Sequence, residues 1–233
     1  MDKAVLKFPW QNQADCRQCA IRHLVLFSGL EESDFDLIHR PIDTLQLENG
    51  QTLYCQGDKA HALFTVRHGL VKLVQYAADG NQRIVRLLRT GDVMGLEALV
   101  GHSYDHDAVV LQQATLCRLP VDLVRSLDRE SPHLHTELMR RWQHALSEAD
   151  AWLTQLSTGP ARTRVARLLL RLTDPATQAC TILGREDMGA MLGITTETAS
   201  RTVAAFKREG IVTEGHGAAT HCDLAKLQEI ADD

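Results

Sequence analysis

Three side chains in the C-terminal third carry the clearest chemistry: Glu197, Ser200 and Arg201, spaced so that all three fall on one side of a helix. Arg can donate two hydrogen bonds to guanine O6 and N7, Glu can accept from the cytosine N4 amino group, and Ser can serve either base. The surrounding run, Arg185 to Gly210, reads as helix, turn, helix. Gly189 and Ala190 allow two helices to approach closely, Gly193 permits a sharp turn, and Ile194 fills the joint. Thr195 or Thr196 is placed to cap the second helix. Ala199, Val203 and Phe206 face inward on it, leaving Thr196, Glu197, Ser200 and Arg201 outward near its N-terminal half, where a recognition helix meets base edges in the major groove. Arg185 and Lys207 are the further candidates for DNA contact. Ile211 to Asp223 reads as a wing hairpin turning at Gly215-His216-Gly217.

A second set of reactive side chains is the cysteines. The chain has six, Cys16, Cys19, Cys55, Cys117, Cys180 and Cys222, too sparse among 233 residues for a disulfide scaffold. Cys16 and Cys19 form a C-x-x-C pair, a spacing competent for redox or metal chemistry. Cys55 reads as a small core side chain at a strand position, and Cys180, between helices, and Cys222, after the wing, read as structural or as oxidisable near DNA.

The elements that must position these groups follow from pattern. From about Leu45 to Leu119 short β-segments are punctuated by Asn49-Gly50, Gly57-Asp58, His68-Gly69, Asp79-Gly80 and Gly91-Asp92. Leu70 to Tyr76 and Gln82 to Leu88 make a hairpin around Asp79-Gly80. After Ser131-Pro132 the period changes. Leu138, Trp142, Ala145, Ala149, Trp152 and Leu156 alternate spacings of four and three, a stripe suited to a helical dimer seam or to packing on the helix's own domain. Gly159-Pro160 ends that helix. Ala161 to Leu172 is another, with Val165, Leu168, Leu169 and Leu172 on its apolar face. The expected division is an arm and β-roll over residues 1–130, a dimerisation helix over 131–158 and a winged helix-turn-helix over 159–233, an α+β fold.

A net charge of −5 argues against nonspecific coating of nucleic acid, so any DNA contact must be local. Between Arg162 and Arg208, eight Lys or Arg stand against Asp174, Glu186, Asp187 and Glu197, a local positive excess. No apolar run approaches the ~18 residues needed to cross a bilayer, and the start lacks a secretory segment. The expected location is cytoplasmic, with no membrane partner. Enzyme signatures are absent: no Gly-rich phosphate loop, Gly-x-Ser-x-Gly or His-Glu-x-x-His. A cupin-like metal enzyme remains the rival for a β-roll, but its cluster of His ligands is not evident.

Over about residues 16–230 the chain resembles the cyclic-AMP receptor and fumarate–nitrate reduction regulator (Crp/Fnr) superfamily. The resemblance rests on Phe27-Ser28-Gly29-Leu30, Gly50 to Asp58, Gly69 to Leu73, the cassette Gly91 to Leu99 and the helix-turn-helix. It implies a β-roll, a dimerising helix and a winged helix-turn-helix in a homodimeric transcription regulator that also contacts RNA polymerase. Glu197, Ser200 and Arg201 match the E-x-x-S-R pattern of the oxygen-sensing branch, which implies the operator TTGAT, four bases, ATCAA.

The resemblance bears on the signal as well. The cyclic-nucleotide branch holds the phosphate with an Arg followed by Ser or Thr. Here Gly101 to Ala108 has no Arg and contains Asp105 and Asp107, so cyclic AMP is not expected. The oxygen-sensing branch carries an iron–sulfur cluster on C-x2-C-x5-C plus one Cys in the roll. Cys16, Cys19 and Cys117 match, but Val25 stands at the third position, leaving His23 or Cys55 as substitute ligands. Four readings stay open: a cluster with a non-standard ligand; a thiol switch or other metal on the same cysteines; haem on His23, His61, His68, His102 or His106; and no cofactor.

Overall fold

The computed structural model describes residues 11–13, 26–27, 31, 34, 38, 42–77, 80–173, 179–214 and 220–232. It divides into two compact units, one made of Met1–Gln75 with Arg86–Ala145 and the other of Tyr76–Val85 with Leu146–Asp233.

The first unit is built on an antiparallel sheet. Its strands are β1 (Gln11–Gln13), β2 (Asp43–Leu47), β3 (Thr52–Tyr54), β4 (Ala62–Tyr76), β5 (Gln82–Leu88), β6 (Val93–Met94) and β7 (Asp107–Pro120). The order is β1-β2-β7-β4-β5, with β3 also on β7 and β6 on β4. Two strands are long rather than short, because His68-Gly69 is not a turn. Gly69 sits inside β4 with φ +92°, and a Cβ there would collide with the Gln113 carbonyl oxygen. The register against β7 slips on both sides of it, so β4 bends across its partner without breaking. The hairpin joining β4 to β5 closes through Ala77 N donating to Asn81 O at 2.9 Å, with Gly80 at φ +82°; Asp79 lies outside the described residues.

Two helices follow β7. The first, α1 (Val121–Glu130), buries Val121, Leu123, Val124 and Leu127. The sequence reading missed it, although Pro120 and that apolar spacing mark it. Ser131 ends α1 and caps α2 (Pro132–Ala151), its hydroxyl oxygen accepting from Leu134 N at 3.4 Å. Pro132 therefore occupies the first helical position, as expected.

The apolar stripe on α2 needs a correction. Leu138 is 3% exposed and belongs to a core with Leu26, Phe27, Leu63, Leu119, Leu127 and Leu134, with Trp142 packed against it. Leu156, in the π-helical turn Trp152–Leu156, is fully buried. Ala145, Ala149 and Trp152 are half-buried. The large apolar side chains left exposed are Met139 at 44%, Leu146 at 59% and Leu153 at 65%. These are one heptad apart and lie one position C-terminal to Leu138, Ala145 and Trp152, a rotation of about 100° around the helix.

In the second unit, α3 (Ala161–Leu172) packs the bihelical element α4 (Arg185–Leu192) and α5 (Thr196–Arg208) and the terminal α6 (Leu224–Asp232). A small sheet in the order β8-β10-β9 is formed by β8 (Ala179–Cys180), β9 (Val212–Glu214) and β10 (Thr220–Cys222). The antiparallel pair β9 and β10 is the expected wing; its turn, with Gly215, His216 and Gly217, lies outside the described residues. Neither β8 nor α6 was anticipated. Among the described residues no helix is long and apolar enough to cross a membrane.

Candidate functional site

The geometry of the helix-turn-helix follows from three small or capping residues. Gly189 lies where a Cβ would come within 2.8 Å of the Ile194 carbonyl oxygen, and Ile194 N donates to Gly189 O at 3.2 Å. Any side chain at 189 would push the turn off α4. Gly193 ends α4 in the left-handed conformation at φ +64°, which a β-branched residue would resist. Thr195 then caps α5, its hydroxyl oxygen accepting from Thr198 N at 3.1 Å.

Ala199, Val203 and Phe206 are completely buried on the inner face of α5. Thr196, Glu197, Ser200 and Arg201 are exposed, so the structure brings this quartet together on the outer face of its first two turns. Glu197 Oε1 and Arg201 Nε are 3.9 Å apart. Lys207 is exposed in the last turn. Arg185 is half-buried, donates to the Leu183 carbonyl at 3.2 Å and has its pKa lowered by that burial.

The local positive excess is smaller in space than in sequence. Arg162 pairs with Glu209 and lies 4.8 Å over the Phe206 ring, while Arg164 donates to the Leu192 carbonyl at 2.6 Å. Arg167 donates to the Ala231 carbonyl at 2.8 Å, and Arg171 pairs with Glu148 at 2.9 Å. These four guanidiniums hold α3 to its neighbours.

Of the candidate thiol ligands the structure describes Cys55 and Cys117, and it does not bring these two together. Cys16, Cys19, His23 and Val25 lie outside the described residues. Cys117 is 8% exposed on β7, opposite Thr44 of β2 and Thr65 of β4, in the core that also holds Leu26 and Phe27. Cys55 follows Tyr54, which pairs with Ala108 at the opposite end of β7. The stretch from Ala108 to Cys117 is on the order of 30 Å along the strand. Cys55 therefore does not complete a ligand set with Cys117, and it sits half-buried just past β3 rather than in a strand. With Val25 at the third position, the four-cysteine pattern of the oxygen-sensing branch is incomplete in this chain. Among the described residues no group of three or more His, Cys, Asp or Glu could hold a metal ion.

Of the histidines weighed for haem, His61, His68 and His102 are exposed, and His106 is half-buried with its pKa lowered by desolvation. The interior of the roll near His106 is filled by aromatic rings. Tyr54 and Tyr104 stack with centroids 3.7 Å apart at 13°, Phe64 stacks on Tyr54 at 5.9 Å, and the Tyr104 hydroxyl donates to Ala62 O at 2.8 Å. Tyr104 lies within the stretch Gly101 to Ala108 that carries the phosphate-binding Arg in the cyclic-nucleotide branch. The sequence reading gave no role to either tyrosine.

Comparison with known proteins bears on both units. The cyclic nucleotide-binding domain matches residues 44–131, and the Crp-like helix-turn-helix domain matches residues 163–230. The fumarate and nitrate reduction regulatory protein of Vibrio cholerae is 26% identical over 224 residues, covering 93% of this chain and 90% of the relative. The transcriptional activator protein anr of Pseudomonas aeruginosa is 26% identical over 209 residues, 86% of each chain. A CRP-family transcriptional regulator from Thermus thermophilus superposes with a TM-score of 0.68 at 28% identity, covering 81% of this chain and 96% of that one. FixK2 from Bradyrhizobium japonicum shares the fold with a TM-score of 0.73 at 21% identity over 81% of this chain and 96% of its own. The Vibrio, Pseudomonas and Thermus proteins are named as a regulatory protein, a transcriptional activator and a transcriptional regulator. With the β-roll fold, the helix-turn-helix geometry and both domain matches in agreement, the chain belongs to the Crp/Fnr superfamily of transcription regulators.

Proposed function

We propose that the protein is a homodimeric regulator that reads a TTGAT, four bases, ATCAA palindrome and responds to oxygen or redox state. The observation that carries the reading is the outward set Glu197, Ser200 and Arg201 on a capped α5, with every large side chain of the opposite face buried. In this reading Arg201 takes guanine, Glu197 takes the cytosine amino group, Ser200 and Thr196 complete the base contacts, and Arg185 and Lys207 lie toward phosphate.

The dimer seam runs along the exposed side chains Met139, Leu146 and Leu153, with Ala149 and the outer part of Trp142 beside them. Solvent exposure of three large apolar groups at heptad spacing is costly in a monomer and is removed by a second copy. A dimer presents two recognition helices to major grooves about 34 Å apart, which matches a palindrome. The regulator acts in the cytoplasm and engages RNA polymerase.

The sensing chemistry is assigned to the thiols of Cys16, Cys19 and Cys117 rather than to a four-cysteine cluster. The name of the Vibrio relative, a fumarate and nitrate reduction regulatory protein, supports a link to redox metabolism, and C-x-x-C is a competent redox pair. A cyclic nucleotide is not the signal, because Tyr54 and Tyr104 occupy the roll interior and Asp105 and Asp107 flank it with negative charge.

Two experiments test the reading. Purified protein should retard the palindrome and release it to the unlabelled palindrome but not to a scrambled duplex; equal competition by both would contradict it. Protein prepared without oxygen should be colourless and free of stoichiometric iron and sulfide, and should lose free thiols at Cys16 and Cys19 on exposure to air. A visible band with stoichiometric iron and sulfide would instead place a cluster on three thiolates and a non-thiolate ligand.

A further inference from the structure

Strand pairing in the second unit brings together two cysteines that are distant in sequence. Cys180 of β8 lies opposite Thr220 of β10, and Cys222 is two residues further along β10, so both side chains project from the same face of the sheet. Both are buried, at 8% and 1% exposure. The Cys180 sulfur is 3.8 Å from the Leu169 carbonyl oxygen of α3, which also accepts from the Thr173 hydroxyl at 2.7 Å. The pairing register and this shared face make the two thiols near neighbours.

We propose that Cys180 and Cys222 are a peroxide-oxidisable dithiol, forming a reversible disulfide inside the winged helix-turn-helix independently of Cys16, Cys19 and Cys117. The two thiols are not equivalent: each acts on the other so that the Cys180 pKa is lowered from the ordinary thiol value and that of Cys222 is raised. Cys180 is therefore the attacking sulfur. Its thiolate attacks one oxygen of hydrogen peroxide: an S–O bond forms, the O–O bond breaks, and the departing hydroxide leaves as water after taking a proton. Cys222 then attacks the sulfenic sulfur, forming S–S and breaking S–O. Its proton goes to the leaving hydroxide, giving a second water when the oxidant is hydrogen peroxide. Two thiols lose two electrons, and one peroxide gains them.

Geometry permits closure at small cost. Diagonal neighbours on antiparallel strands have Cα atoms roughly 7–8 Å apart, and a disulfide needs less than about 6.8 Å. β8 must therefore move by about 1 Å. It is a two-residue strand held to β10 through two residue pairs and to the end of α3 by the Cys180–Thr173 bridge and by Thr181 N donating to Leu172 O at 3.1 Å, so the shift and the transient opening that admits peroxide loosen contacts confined to one short segment. The closed loop contains α4, α5 and β9, so the bond would restrain the whole reading element.

The test is peptide mapping of the reduced full-length chain after graded hydrogen peroxide, quenched with an alkylating agent and then denatured. The expected product is a peptide pair joining Cys180 to Cys222, lighter by the two hydrogens lost, reversed by dithiothreitol, and formed equally in a C16S/C19S variant. In that variant oxidation should raise the melting temperature by several degrees, and adding Cys222→Ala should abolish the rise. Recovery of Cys180 and Cys222 as separately alkylated or separately over-oxidised residues, at peroxide levels that already oxidise methionine, would overturn the proposal.

Discussion

Arg201 Nε stands 3.9 Å from Glu197 Oε1, one turn back along α5, with both side chains more than two-thirds exposed. An exposed pair of this kind contributes little to stability. Either group can therefore exchange its partner at little energetic cost, as the base-reading roles proposed for Glu197 and Arg201 require.

Replacing Glu197 by Ala should relax discrimination at the base pair it reads by roughly 1–3 kcal/mol while leaving the fold unchanged. Competition binding with single-base variants of each half-site checks this. A uniform loss at every position would instead mark Glu197 as a support for Arg201.

Thr195→Ala removes the cap that accepts from Thr198 N. It should cost about 1 kcal/mol of stability, whereas Thr196→Ala, which removes no cap, should be nearly neutral in the absence of DNA. Denaturant unfolding of the two variants side by side gives the comparison.

The stripe on α2 separates two kinds of leucine. Leu146→Glu should yield a folded monomer in sedimentation experiments, with operator binding lost in step. Leu138→Ala should leave the seam intact but cost about 2–5 kcal/mol, because the side chain is 3% exposed in the core of its own unit. A Leu138→Ala monomer of unchanged stability would reverse the two assignments.

Burial lowers the pKa of His106, outweighing the acidic side chains of Glu97 and Asp105 that act to raise it. The folded state therefore binds a proton less readily than the unfolded chain. Its stability contribution is complete above about pH 6.5, the ordinary histidine value, and is lost as pH falls from there through the folded-state pKa. Melting temperature measured across this window should fall with acidification, and the fall should be shallower in His106→Asn.

Much of this site was legible because its signals are local. Gly189, Gly193 and Thr195 each do one stereochemical task within a few residues, so the helix-turn-helix and its outward quartet can be read from spacing alone. The exposed apolar stripe lies one position from the one read in the sequence, because alternating spacing marks an apolar face without saying what covers it. Leu138 and Leu156 satisfy the pattern by packing in their own units, and only burial separates them from Met139, Leu146 and Leu153. The charge count failed for a similar reason: Arg164 and Arg167 bind backbone carbonyls of Leu192 and Ala231, partners that carry no charge in the sequence. The proximity of Cys180 and Cys222 depends on β8, a strand of two residues, too short to produce a periodic signal.

Arg201 is tested most directly by a competition binding assay of Arg201→Ala against the palindrome and a scrambled duplex over a range of salt concentrations. The variant, folded and dimeric, should lose its preference for the palindrome and keep only weak binding that falls steeply with salt. Undiminished preference for TTGAT half-sites in that variant would contradict the assignment of α5 as the reading helix.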